Sequence, residues 1–222
     1  SNDIGNKEIT ISNISITNGK AYAGSADTNP DGYGGGIFIE YNNLNLNNVI
    51  INNCEANRKG AGIWASHSTV NIDNSKLLNN YIYTSNHFGG GIGSSFSDII
   101  INKSLIAFNY ANDAGGVYHS NGYLEINNSN IVVNGGHATL YQFSAGLYTV
   151  NSIGLIKNSI IHSNDAAIPN ILLIDSDISI LYSNIEGGYE GEGNIDTDCL
   201  FTDSDNGDFT LQPSSPCIDA GD

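Results

Sequence analysis

A short apolar pattern recurs seven times along the chain and constrains its fold more than any other feature. In the first copy the apolar residues are Ile9, Ile11 and Ile16, at offsets 0, 2 and 7. Each copy keeps this register without a gap, and the offset-7 residue returns after 24 to 35 residues. The offset-7 residues are Ile16, Ile51, Leu77, Ile106, Ile131, Ile161 and Ile185. Self-similarity at such a period indicates a repeat architecture.

A glycine followed by an aliphatic residue shares this period. The five steps are Gly36-Ile37, Gly62-Ile63, Gly91-Ile92, Gly116-Val117 and Gly146-Leu147. Each opens a short run that alternates by two, as strands do, and glycine permits a tight turn before it. Two short strands and a turn per repeat predict a solenoid, because one coil buries its apolar face only by stacking on the next. The sequence therefore predicts an all-β fold, a single-stranded, right-handed parallel β-helix of about seven coils.

Polar residues also recur at fixed positions. Offset 5 carries serine in five copies, and offset 10 carries asparagine in four, with Cys54 at the equivalent place in another. Stacked amides and hydroxyls can bond to the coil above. We interpret both columns as structural ladders, with ligand contact as the alternative, and expect Cys54 to be a free, partly buried thiol.

The repeats and the tail resemble known families. The units VNIDNSKLLNN and LEINNSNIVVN, with the preceding GGGI segments, resemble pectate-lyase-type parallel β-helix repeats. The tail GNIDTDCLFTDSDNGDFTLQPSSPCIDAGD resembles the C-terminal motif of right-handed β-helix surface proteins of bacteria and archaea. One departure is Cys199, where that family usually has proline. The resemblance spans essentially the whole chain and implies an extracellular or cell-surface location, but no particular activity.

Charge narrows the choice of partners. Seven basic residues face 23 acidic ones, for a net charge of −16. A field of this sign repels phosphate backbones and anionic lipid, so nucleic acid and membrane insertion are poor expectations. Cations and neutral glycans are better ones. Because the chain contains no methionine, we expect a processed chain from which a signal or anchor could have been removed.

The repeat stops after Ile185, so residues 1–186 are assigned to the coils and 187–222 to an acidic, hairpin-like C-terminal cap. Asn206-Gly207 between alternating runs predicts a hairpin with a type I′ turn. The region is rich in aspartate, which fits turn chemistry or, alternatively, a Ca²⁺ site. The candidate metal ligands are Asp196, Asp198, Asp203 and Asp205. Cys199 and Cys217 are a candidate disulfide pair in an oxidising setting.

No catalytic constellation emerges, because the basic residues, the acids and the histidines of the coils fall at unlike repeat positions. One aromatic column does emerge, two residues after the coil-opening glycines: Phe38, Trp64, Tyr118 and Tyr148. Alternation places this column outward, where it could bind a glycan, with Trp64 as the main contact. The alternative is that loop aromatics cover it. Those loop residues are Tyr81, Tyr83, Phe88, Tyr110, Tyr141 and Phe143.

The sequence favours a non-catalytic, adhesin-like module that presents a rigid rod, binds glycan or stacks end to end into filaments. The alternative is a carbohydrate-active enzyme, either a polysaccharide lyase or a glycosidase.

Overall fold

A computed structural model of the protein describes residues 7–22, 32–84, 87–136, 144–164 and 170–222. These residues contain short strands, one 3₁₀ turn (Ser204–Asn206) and no α-helix. The strands are β1 (Glu8–Ser12), β2 (Ser15–Thr17), β3 (Lys20–Ala21), β4 (Ile37–Glu40), β5 (Asn43–Asn47), β6 (Ile50–Asn52), β7 (Glu55–Ala56), β8 (Ile63–Ser66), β9 (Thr69–Asp73), β10 (Lys76–Leu78), β11 (Tyr81–Ile82), β12 (Ile92–Ser95), β13 (Asp98–Asn102), β14 (Leu105–Ala107), β15 (Tyr110–Ala111), β16 (Val117–Ser120), β17 (Tyr123–Asn127), β18 (Asn130–Val132), β19 (Gly135–Gly136), β20 (Leu147–Val150), β21 (Ile153–Lys157), β22 (Ile160–His162), β23 (Ile171–Ile174), β24 (Asp177–Leu181), β25 (Asn184–Ile185), β26 (Phe201–Asp203) and β27 (Asp208–Leu211).

The coil strands stack into four parallel sheets. Sheet A contains β1, β5, β9, β13, β17, β21 and β24, and sheet B contains β2, β6, β10, β14, β18, β22 and β25. Sheet C contains β3, β7, β11, β15 and β19, and sheet D contains β4, β8, β12, β16, β20 and β23. Each coil runs through sheets D, A, B and C in that order. The protein is therefore an all-β parallel solenoid, as the repeat predicts.

The solenoid has about five turns, so the prediction of about seven coils is wrong. All seven copies of the apolar pattern form strands in sheets A and B, which is why counting copies gave seven. Among the described residues, however, only the coils from β4 to β19 place a strand in every sheet. Among the described residues, four copies therefore lie in coils with strands in all four sheets, and the first copy and the last two do not.

The core is the predicted apolar column together with its neighbours. Ile51, Leu77, Ile106, Ile131 and Ile161 are fully buried and pair in register within sheet B. This confirms the predicted column, in which each isoleucine or leucine packs between the coils on either side. Burying a side chain of this size contributes about 1.5–3 kcal/mol.

The two polar columns are hydrogen-bonded ladders, as predicted. The backbone N–H of Ser75 donates to Oγ of Ser104 at 3.1 Å, and the Ser104 N–H donates to Oγ of Ser129 at 3.1 Å. The amide of Asn109 donates both to the carbonyl of Leu77, at 2.9 Å, and to Oδ1 of Asn134, at 3.0 Å. These bonds satisfy backbone groups at buried corners of the coil, where an unpaired group would be costly.

The C-terminal segment folds along one side of the solenoid. β26 and β27 form an antiparallel hairpin, which was expected, but the type I′ turn is wrong. The 3₁₀ turn joins the strands and Gly207 alone adopts a left-handed φ of 84°, whereas a type I′ turn needs positive φ at two residues. Phe209 packs on Ala107 and Val132, on the outer face of sheet B. The hairpin thus lies against the side of the rod rather than across its end.

Residues 192–197 lie along the edge of the last coil instead. The backbone N–H of Ile185 donates to the carbonyl of Ile195 at 3.0 Å, and the Ile195 N–H donates to the carbonyl of Ser183 at 2.9 Å. The Tyr182 N–H donates to the carbonyl of Glu192 at 2.7 Å. Backbone groups at this edge of the last coil are therefore already hydrogen-bonded.

Candidate functional site

The predicted aromatic stripe does form one outward column of sheet D. Phe38 pairs with Trp64, Trp64 with Gly93, Gly93 with Tyr118, and Tyr118 with Tyr148. The glycine leaves room over its backbone that the indole ring of Trp64 occupies, because a Cβ at Gly93 would collide with that ring. The register of the stripe was therefore predicted correctly.

Phe38 at the end of the stripe is 40% exposed, but Trp64 is covered rather than open, which argues against its expected role as the main glycan contact. Its side chain is only 4% exposed. The ring of Tyr33 lies 5.4 Å from it, and the ammonium of Lys59 lies 5.0 Å from its centroid. Phe88 stacks on Tyr118 with centroids 4.5 Å apart. Burial lowers the pKa of Lys59. The turn before sheet D therefore covers Trp64 and packs against Tyr118, as the alternative reading expects for this part of the column.

Sheet C carries a different aromatic face that is open to solvent. Tyr81 and Tyr110 pair in register, and their rings stack with centroids 4.7 Å apart and an interplanar angle of 7°. Tyr83 lies 4.2 Å from the Tyr81 ring at 53° and is 59% exposed. Of the other loop aromatics, Tyr141 and Phe143 lie outside the described residues.

A carboxylate stands at one end of this tyrosine face. Glu55 pairs in register with Tyr81 on one side and with Lys20 on the other. The phenol of Tyr22 donates a hydrogen bond to the Glu55 carboxylate, and the Lys20 ammonium lies 3.0 Å from it. The hydrogen bonds from Tyr22 and then Lys20 lower the pKa of Glu55. The groove therefore holds an ionised acceptor.

Asparagines complete a groove beside these side chains. A cavity of about 360 Å³ is lined by Asn18, Asn53, Glu55, Asn79, Tyr81 and Tyr83. The three asparagines occupy the corner between sheets B and C, with left-handed φ values of 53–58°. Asparagine tolerates this backbone conformation, which explains its recurrence at the corner. We call this cavity the tyrosine groove. Amides, phenols and a carboxylate offer donors and acceptors beside aromatic surface.

Sequence reasoning missed most of this groove, although a signal was present. The residues at offset 11 are Lys20, Glu55, Tyr81 and Tyr110, one per coil, and Gly135 follows them. Two members of this column, Glu55 and Tyr81, line the groove. The bond from Tyr22 to Glu55 has no sequence signal, because these residues are 33 positions apart and belong to different coils.

The candidate metal ligands have turn-like partners. The Leu200 N–H donates to Asp198 at 2.9 Å, the Gly187 N–H donates to Asp196 at 3.3 Å, and the Asn206 amide donates to Asp203. Across the described part of the chain, no three His, Cys, Asp or Glu residues form a group that could hold a metal ion. A calcium site that includes Asp205 stays a prediction.

The candidate disulfide residues lie together as free thiols. The amide of Asn184 donates to Sγ of Cys199 at 2.8 Å and to Sγ of Cys217 at 3.1 Å. Burial, and then the hydrogen bond with Cys217, raise the pKa of the Cys199 thiol. The bridge itself stays a prediction. Cys54 is also a free thiol but is fully buried rather than partly buried.

Two buried ionisable groups lie elsewhere in the coils. His119 is fully buried on the inner face of sheet D, and a 2.8 Å hydrogen bond joins its Nδ1 to Oγ of Ser94. Burial lowers the pKa of His119 to about 4. Asp113 is 2% exposed, and burial raises its pKa to about 6. Neither side chain is accessible to a polymer.

No protein-family model matches the chain, and comparison with curated proteins gives no significant match. Within the described residues, no helix has the length and apolar character needed to cross a membrane. The architecture places the chain among parallel β-solenoids, and its chemistry must be argued from its own surface.

Proposed function

We propose that this protein is a non-catalytic, extracellular β-solenoid module that binds a glycan in the tyrosine groove. The observation that carries the proposal is the meeting of exposed tyrosine rings with Glu55 and a row of asparagine amides in one open groove. Sugar rings present apolar faces and many hydroxyls. Tyrosine supplies rigid amphipathic surface, and planar polar side chains supply the hydrogen bonds that fix orientation.

The charge of the chain favours a neutral or cationic polymer. A net charge of −16 repels a polyuronate, whereas the ionised Glu55 is paired locally with the Lys20 ammonium. This disfavours the polysaccharide lyase alternative, whose substrate is such a polymer. The glycosidase alternative needs two carboxyl groups flanking one bond. Among the described residues that line the tyrosine groove, Glu55 is the only carboxylate.

The remaining parts of the proposal concern assembly and location. Residues 192–197 already pair with the last coil, which favours a separate rod over end-to-end filaments. The right-handed sense of the coil follows the preference of parallel crossovers. The extracellular location rests on the resemblance of the repeats and tail to surface proteins.

Affinity electrophoresis tests the function directly. The protein is run through gels containing hydroxyethyl cellulose, xyloglucan, galactomannan, chitosan or polygalacturonate. We expect retardation by at least one neutral or cationic polymer. Tyr83→Ala should weaken it several-fold, because one stacking ring contributes about 1 kcal/mol. Tyr189→Ala is the matched control, since Tyr189 is 39% exposed but lies outside the groove.

Two results would contradict this proposal. Equal retardation of wild type and Tyr83→Ala would remove the groove from the binding site. Release of soluble oligosaccharides from any of the five polymers would instead support the enzyme alternative.

A further inference from the structure

A second aromatic column lies at the corner between sheets D and A. Tyr41, His67 and Phe96 occupy this corner in three consecutive coils. The Tyr41 and His67 rings stack with centroids 4.8 Å apart at 23°, and the His67 and Phe96 rings with centroids 5.2 Å apart at 14°. The three rings form a continuous wall along the rod axis. This wall is separate from the tyrosine groove, which lies at the corner between sheets B and C.

Two of these rings, Tyr41 and Phe96, are held in a backbone conformation that disfavours bulky side chains. Tyr41, His67 and Phe96 have left-handed φ values of 56°, 48° and 50°. The same corner carries Asn121 and Asn151 in later coils, with φ values of 56° and 49°. Asparagine adopts this conformation readily, whereas a bulky side chain there is a genuine outlier. Strain of this kind concentrates at functional sites.

Burial does not account for the rings either. The side chains of Tyr41 and Phe96 are 44% and 57% exposed. A residue that is both strained and exposed contributes little to the core. Burial in the core therefore does not explain these rings, and the groove beside them offers a role at the surface.

A groove of about 340 Å³ runs beside the wall. It is lined by the rings of His67 and Phe96 and by polar groups that include Asn43, Asp98 and Asn121. Gly122 belongs to the lining as well, and a Cβ at this position would collide with the carbonyl oxygen of Ser97. Glycine at this position therefore lets two neighbouring coils approach closely beside the groove.

We propose that this groove is a second saccharide-binding site, which takes the sugar rings of a neutral polysaccharide. It shares the class of ligand with the proposed function but uses a separate surface. The ring wall contacts the apolar face of a sugar, while the amides of Asn43 and Asn121 and the carboxylate of Asp98 bond its hydroxyls. The rod then has two glycan contacts at different corners and can bridge two polymer chains.

Phe96→Asn tests the proposal because asparagine suits the left-handed backbone. The variant removes the aromatic ring and places at position 96 a residue that adopts the left-handed conformation readily. The assay is affinity electrophoresis in hydroxyethyl cellulose, xyloglucan and galactomannan, with thermal melting alongside. We expect several-fold weaker retardation by one polymer and an unchanged or raised melting temperature. Ile50→Asn, which removes an exposed apolar side chain from sheet B, is the control and should bind like wild type.

The two sites are distinguished by pairing Phe96→Asn with Tyr83→Ala. Loss of retardation only in Tyr83→Ala overturns the second site and leaves the proposed function intact. Loss of retardation only in Phe96→Asn overturns the proposed function of the tyrosine groove and leaves the second site intact. Partial loss in each and complete loss in the double variant supports both sites. A lower melting temperature with unchanged binding would give the ring wall a structural role and overturn the proposal, as would a wild type that binds none of the three polymers.

Discussion

The buried groups His119 and Asp113 should make stability depend on pH in opposite directions. The pKa of His119 falls from 6.5 to about 4 in the folded state, and that of Asp113 rises from 3.8 to about 6. A depressed histidine pKa gives stability that is present above pH 6.5 and lost as the pH falls through about 4. A raised aspartate pKa gives stability that is present below pH 3.8 and lost as the pH rises through about 6.

The two effects are similar in size. One pKa unit corresponds to about 1.4 kcal/mol, so each group changes the free energy of unfolding by about 3 kcal/mol over its window. Between about pH 4 and 6.5 the loss from His119 and the gain from Asp113 nearly cancel. In wild type, the contribution of this pair to the free energy of unfolding should therefore change little with pH. As the pH falls, protonation is unfavourable at the buried His119 and favourable at the buried Asp113.

Single variants should reveal the pH dependence of unfolding free energy that the two groups cancel in wild type. Asp113→Asn should lose about 3 kcal/mol of unfolding free energy between pH 7 and pH 4 relative to wild type, whereas His119→Asn should gain about as much. Urea unfolding followed by Trp64 emission measures this, since the indole is buried in the folded state. Comparing the pH dependence of each variant with that of wild type removes the contributions of the other titrating groups and of any packing loss that does not depend on pH. The double variant should return to the wild-type slope.

Parallel pH profiles for wild type and both single variants would refute the reasoning. That result would mean that both groups titrate at similar pKa values in the folded and unfolded chains. A steeper loss in His119→Asn than in wild type would contradict the assigned sign for the histidine.

Three further predictions follow from the ladders and the C-terminal segment. Asn109→Ala should lower the free energy of unfolding by about 3 kcal/mol, because it leaves buried partners unpaired, whereas Asn47→Ala, at an exposed position of β5, should change it little; urea unfolding compares them. Oxidised glutathione should join Cys199 to Cys217 and stabilise the protein by about 3 kcal/mol. Thiol titration measures the bridge, and three reactive thiols in the treated, unfolded protein would contradict it. If the acidic turns bind calcium, the ion should raise the melting temperature and Asp203→Asn should abolish the rise; an unchanged wild-type melting temperature would exclude that site.

The periodic part of the fold could be predicted from the sequence because burial repeats with the chain. Ile51, Leu77 and Ile106 lie one coil apart, so a single register explains all three. The number of turns could not be read in the same way. A copy of the pattern predicts strands in sheets A and B, whereas the strands of sheets C and D depend on the variable segments between copies.

The candidate site was harder to predict, because exposure depends on contacts between coils. The outward direction of Trp64 follows from alternation, but its cover comes from Tyr33 and Lys59, which approach it from other parts of the coil. The tyrosine groove depends on Tyr22 reaching Glu55 in the next coil. Column counting finds which residues align, whereas side-chain conformation decides which of them remain open.

The C-terminal hairpin should also make the rod resist stretching unevenly along its length. Apolar residues of β10, β14, β18 and β22 pack with the hairpin cluster around Phe209, so one short segment clasps four successive coils. Among the described coils, the one formed by β1–β3 has no such clasp, and its inward-facing Ile9 is 41% exposed. Under a stretching force, the described coils that lack this contact should separate at lower load than the clasped ones. The clasped coils would resist in shear until the hairpin detaches.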